Sequence, residues 1–107
     1  MTSTALHSPF DAPTAGALSE VLPKDAPLYI TFDLDIFDPS VLPGTGTPEP
    51  GGIDWQTFEK LRAVFDGTEI VALDIVELAP ALDPAGTSAV LAAKLLREWL
   101  LTLPSAG

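Results

Sequence analysis

The stretch Tyr29-Ile30-Thr31-Phe32-Asp33-Leu34-Asp35-Ile36-Phe37-Asp38-Pro39 constrains this chain more than any other, because an apolar run ends in three carboxylates and is closed by a proline. Leu28, Tyr29, Ile30 and Phe32 are too apolar for a solvated loop and predict a strand. Pro39 cannot donate to a central ladder, which puts the acids at the strand's C-terminal end. Side chains alternate along an extended strand, so Asp33 and Asp35 are expected on one face, about 7 Å apart along the backbone. Two like charges facing one space call for a cation, and the C-terminal edge of an open α/β sheet is where such chemistry collects.

The rest of the chain supplies a partner for that edge. Residues 1–17, with Pro9, Pro13 and Gly16 and no usable period, read as an irregular or disordered leader, and Ala17 to Leu22 as the last turn of a helix stopped by Pro23. The first strand then opens at about Leu28. Between Pro39 and Gly52 stand four prolines and four glycines, which predict a loop of fixed shape. Asp54 is the expected N-cap of a helix whose stripe is Trp55, Phe58, Leu61 and Phe65, ending near Asp66-Gly67. A second strand, Glu69 to Val76, is almost continuously apolar, as a parallel strand buried on both faces would be. Thr87 or Ser88 should cap a final helix over Ala89 to Leu103. Trp55, Phe58, Phe65 and Trp99 are the expected aromatic core.

Strand, helix, strand, helix in that order implies a parallel pair with a right-handed crossover. The fold class is therefore α/β, a partial three-layer α/β/α arrangement. Both strand ends then share one edge, so Asp33, Asp35 and Asp38 can meet Asp74 and Glu77. Two parallel strands alone make a poor core, since such strands want neighbours and cover.

Composition excludes some functions. The 107 residues suffice for one domain with a limited core. Fifteen acids against five bases give a net charge of −10, which argues against nucleic acid and anionic membranes and for metals or small amines. Without cysteine, any metal must be held by oxygen ligands. The N-terminus has neither a basic nor an apolar targeting region, and no stretch of about 18 apolar residues occurs. The expectation is a soluble, cytoplasmic protein.

Three motifs together carry a resemblance. Phe32-Asp33-Leu34-Asp35 with Asp38-Pro39, then Pro43-Gly44-Thr45-Gly46-Thr47-Pro48-Glu49-Pro50-Gly51-Gly52, then Leu73-Asp74-Ile75-Val76-Glu77-Leu78-Ala79-Pro80 resemble, in order and spacing, the C-terminal part of the ureohydrolase family of arginases, agmatinases and related amidinohydrolases. The wording of the second and third motifs leans toward the agmatinase-like branch. Residues 18–107 then read as the C-terminal part of such an α/β domain. The resemblance implies hydrolysis of a guanidino compound to urea and an amine at two manganese ions. It implies that Asp33 and Asp35 bind metal, that Glu77 pairs with the substrate guanidinium, and that Thr47 lines the site near it. General chemistry agrees, since manganese prefers carboxylate, imidazole and water, and a carboxylate suits the paired N–H donors of a guanidinium.

The family site also needs an Asp-x-His-x-Asp motif and a further histidine, and this sequence has neither; its single histidine, His7, fits no family motif. The expectation is a truncated or split ureohydrolase, inactive alone, partnered by a guanidino small molecule and by either a homo-oligomer or an N-terminal half that supplies the other ligands. The competing expectation is a non-catalytic module that oligomerises or docks on a full-length homologue through unpaired strand edges.

Structural alternatives stand beside each residue. Asp33 and Asp35 could cap backbone amides, Asp38 reads as a turn-former, Asp74 as a buried group orienting the loop, and Glu77 as a solvated strand-end acid. Phe32-Asp33-Leu34-Asp35 also resembles the first motif of haloacid-dehalogenase-type phosphatases, but Ile36-Phe37 stands where those have a small pair. A calcium loop would need an oxygen ligand at Phe37 and glycine at Asp38.

Overall fold

The structure, a computed structural model, describes residues 12–103; the greater part of the expected leader, with His7, lies outside the described residues. The elements run α1 (Ala12–Val21), β1 (Pro27–Asp33), α2 (Trp55–Ala63), β2 (Glu69–Val76) and α3 (Thr87–Leu100), with short 3₁₀ turns at Leu34–Ile36 and Pro80–Leu82. Helix α1 begins at Ala12, so residues 12–17 are helical where an irregular segment was expected. Pro13 reconciles the two, because in the first helical turn its missing N–H has no intrahelical partner to lose.

β1 and β2 pair in parallel, with Thr31 opposite Asp74, Phe32 opposite Ile75 and Asp33 opposite Val76. The expected parallel pairing and shared C-terminal edge are therefore present. Phe32 is where the layers meet. Its ring lies 5.5 Å from Phe58 of α2 and 6.1 Å from Trp99 of α3, both edge-on, and 6.1 Å from Phe37. Such pairs add about 0.5–1.5 kcal/mol each beyond their burial. Because both α2 and α3 reach Phe32, they form one helical layer on its face of the sheet. Leu34, Phe58 and Leu95 are fully buried there, while Trp55 and Phe65 pack from the side.

Alternation along β1 follows from this. Leu28, Ile30 and Phe32 are at least half-covered, and Tyr29, Thr31 and Asp33 are exposed. β2 was expected to be buried on both faces, yet Val71 and Ala72 are exposed. A two-stranded sheet with α2 and α3 on one side covers only that side. An almost continuous apolar run is what a strand shows when it is built for two covered faces.

The loop from Pro39 to Gly52 is tied at its neck. Ile53 and Phe37 form a parallel bridge, with Asp38 N donating to Ile53 O at 3.0 Å and Ile53 N to Ile36 O at 2.9 Å. Gly52 is required there, since a Cβ would lie 2.5 Å from both Ile36 O and Asp38 N. Within the loop Leu42 and Thr45 are buried, so it packs on the domain as a fixed element, as its prolines predict.

Candidate functional site

Asp33 is the last residue of β1, and its carboxylate caps the turn that follows. Asp33 Oδ1 accepts from the Asp35 N–H at 2.8 Å, and Phe37 N closes the 3₁₀ turn on Leu34 O. Asp35 therefore lies in that turn and not on the strand, which corrects the expectation that pleat alternation aligns the two acids. The strand ends because the Asp33 side chain offers the backbone a local hydrogen bond that competes with the ladder. What brings the acids together is a turn two residues wide.

Asp35 is half-buried and splits its oxygens between two environments. Oδ2 accepts from Thr47 Oγ1 at 2.7 Å; Oδ1 is buried with no hydrogen-bond partner among the described residues. A buried carboxylate oxygen without a donor is costly, and a cation would satisfy it. Thr47 thus stands on the aspartate pair, held out by the glycine-rich loop.

Glu77 follows β2 directly, one residue beyond the partner of Asp33, so the register sets it at the same sheet edge. Its backbone is left-handed, φ 72°, alone in this among the described non-glycine residues. For a residue with a Cβ that conformation is uncommon and costs energy, and such outliers gather at functional sites. Its side chain is exposed.

Two further acids are engaged in hydrogen bonds. Asp38 Oδ2 accepts from Ser40 N at 2.9 Å and also from the Ser40 hydroxyl, while Oδ1 accepts from Gly51 N at 2.9 Å. These donors, led by the Ser40 hydroxyl, hold its pKa at about 2. Asp38 is the turn-former of the sequence reading, and it also laces the loop's two ends together. Asp74 was expected to orient the loop; instead its Oδ2 accepts the Tyr29 phenol across the strand pair, and that bond pushes the Tyr29 pKa up.

Two residues with a positioning role escaped sequence reasoning. The N-cap of α3 is Gly86, not Thr87 or Ser88, and it offers no side-chain bond. Buried Asp83 does that work from upstream, accepting from Ser88 N at 2.7 Å and from Ser88 Oγ at 2.6 Å, which lowers its pKa. Ser88 in turn accepts the Gly44 N–H at 2.8 Å. An Asp-Pro turn ahead of Gly-Thr-Ser was the available signal, since an acid there can reach forward to free amides of a helix start.

As a metal centre the set is partial. The unpartnered Asp35 oxygen and the neighbouring Asp33 carboxylate suit a hard divalent ion, which takes about six oxygen or nitrogen donors. Among the described residues no three acidic, histidine or cysteine side chains converge to hold one. No helix among the described residues is long and apolar enough to cross a membrane.

A model of the arginase family matches residues 7–102. The chain is 48% identical over 81 residues to the mitochondrial agmatinase of Gallus gallus, covering 75% of this chain and 24% of that protein. It is 46% identical over 79 residues to the mitochondrial guanidino acid hydrolase of Homo sapiens, covering 73% of this chain and 22% of that one. The crystal structure of the agmatine ureohydrolase of Thermoplasma volcanium superposes with a TM-score of 0.68 at 31% identity, over 85% of this chain and 31% of that one. The chain spans between 22% and 32% of the length of the first curated relatives it matches.

Proposed function

This chain belongs to the arginase family, and from that premise we propose that it carries one side of an amidinohydrolase site that cleaves a guanidino compound of the agmatine type into urea and an amine. The observation that carries the reading is the buried, unpartnered oxygen of Asp35, held beside Asp33 and braced by Thr47 at the edge where Glu77 begins. Asp33 and Asp35 would hold manganese together with ligands from another stretch of polypeptide, so the chain by itself turns over no substrate. When bound, the metal pair supplies water activation at neutral pH and charge that offsets the weak electrophilicity of a guanidinium carbon.

The remaining work falls to this chain's own residues. The Glu77 carboxylate accepts two N–H donors of the guanidinium, which fixes its plane. Thr47 keeps the Asp35 carboxylate from rotating. Water adds to the guanidino carbon, the bond to the alkyl nitrogen breaks, that nitrogen takes a proton, and urea and the amine leave.

The test is complementation. The chain is mixed with the N-terminal portion of an agmatinase relative and manganese, and urea release is measured from agmatine, arginine and guanidinobutyrate. Urea is expected from the mixture and from neither part alone, with agmatine preferred. An assembled mixture that yields neither urea nor tight manganese binding overturns the proposal.

A second reading, an interaction module without chemistry, draws on a different observation. Tyr29 and Val71 are 63% and 62% exposed on a sheet that has two strands among the described residues. Sedimentation of the isolated chain addresses it: a metal-independent oligomer supports the module, and a folded monomer opposes it.

A further inference from the structure

Ser88 lies outside the aspartate pair but is wholly buried, and its hydroxyl has a partner on each side. It donates to Asp83 Oδ2 at 2.6 Å and accepts the Gly44 N–H at 2.8 Å. An ionised carboxylate only accepts, which fixes the direction of the relay. Gly44 continues it, its carbonyl accepting from Ala79 N at 2.7 Å. One hydroxyl therefore joins the start of α3, the glycine-rich loop and the segment after β2. The contact leaves no slack, since a Cβ on Gly44 would lie 2.8 Å from Ser88 Cβ and Oγ and 3.2 Å from Ala79 O.

The two segments so joined carry the two halves of the site. Shortly after Gly44 comes Thr47, which holds Asp35; shortly before Ala79 comes Glu77, in its left-handed conformation. We propose that Ser88 is a positioning residue that sets the separation between the Asp33–Asp35 pair and the Glu77 carboxylate, and so the distance from metal to guanidinium. Its catalytic consequence rests on the function proposed above; the geometric part stands alone.

Amide resonances and hydrogen exchange of the full metal-free chain test the geometry. In Ser88→Ala, Gly44 amide protection should fall roughly tenfold and the Thr47 and Glu77 resonances should move, while those around Trp99 stay. Ser88→Thr, which keeps the hydroxyl, should restore them. If Ser88→Ala does not fold, Ser88→Cys fills the space with a weak hydrogen-bonding group and carries the same expectations. In the complemented mixture, Ser88→Ala should lower kcat by roughly ten- to a hundred-fold while leaving manganese affinity unchanged. A folded Ser88→Ala or Ser88→Cys variant with unaltered Gly44 protection and unmoved Thr47 and Glu77 resonances overturns the proposal. Absence of urea from the unsubstituted mixture counts against the function alone, because the amide measurements decide Ser88 without it.

Discussion

At the scale of single residues, energy is spent at Glu77 and recovered at Asp38. A left-handed non-glycine residue costs about 1–3 kcal/mol, which a solvated strand-end acid would have no reason to carry. Glu77→Gly is expected to raise stability to urea by roughly 1 kcal/mol, since glycine adopts that φ freely. The same change should abolish binding of a guanidino ligand, measured by calorimetry on the complemented mixture. Asp38 behaves in the opposite sense. Its folded pKa of about 2 lies below the ordinary 3.8, so its contribution is complete above pH 4 and is lost as pH falls through 2. The Ser40 and Gly51 amide shifts should therefore titrate with a midpoint near 2; a midpoint near 4 would show that the carboxylate is not engaged.

Among the elements, the loop and the helical layer answer to different forces. The loop is held by close backbone approach, so the two glycines Gly52 and Gly46 should respond differently to the same added methyl. Gly52→Ala must push apart Ile36 O and Asp38 N, each 2.5 Å from the new carbon, and should cost about 2–3 kcal/mol. A Cβ on Gly46 meets nothing within 4 Å, so Gly46→Ala should stay within about 0.5 kcal/mol of the parent. Urea denaturation of both checks the contrast. The helical layer depends on aromatic burial instead. Phe58 touches Phe32, Phe37, Trp55 and Trp99, and Phe58→Ala should cost about 3–5 kcal/mol. Small domains hold only about 5–15 kcal/mol in total, so that variant should unfold at a much lower temperature than the parent when heated and followed by circular dichroism. Lys94, its ammonium 4.6 Å from the Trp55 ring centre, extends the same cluster toward solvent.

For the molecule as a whole, the sheet among the described residues has two strands. Two parallel strands with α2 and α3 on one face leave apolar positions such as Val71 in solvent, and two carboxylates leave a metal's ligand shell unfilled. On the function proposed above, polypeptide that covers the sheet would also add donors. Val71→Lys separates cover from donors, since an exposed position should leave the chain's own stability within about 0.5 kcal/mol. If that strand packs against complementing polypeptide, the lysine should weaken complementation, seen as a higher concentration of the partner needed for half-maximal urea release. Equal complementation would mean that this part of the sheet stays in water.

Local pattern alone decided the element order, the bounds of β2, the Asp54 cap of α2, the aromatic core and the shared edge of the two strand ends, because periodicity, capping chemistry and parallel topology are properties of neighbouring residues; Thr47 came into view only through the resemblance of its loop to the ureohydrolases. Other facts needed the tertiary structure: that Asp35 leaves the strand for a turn, that Thr47 reaches Asp35, that Glu77 is left-handed, and that Ser88 links Asp83 to Gly44. These depend on hydrogen bonds between segments far apart in the chain, or on one side chain outcompeting a ladder, and neither leaves a period in the sequence.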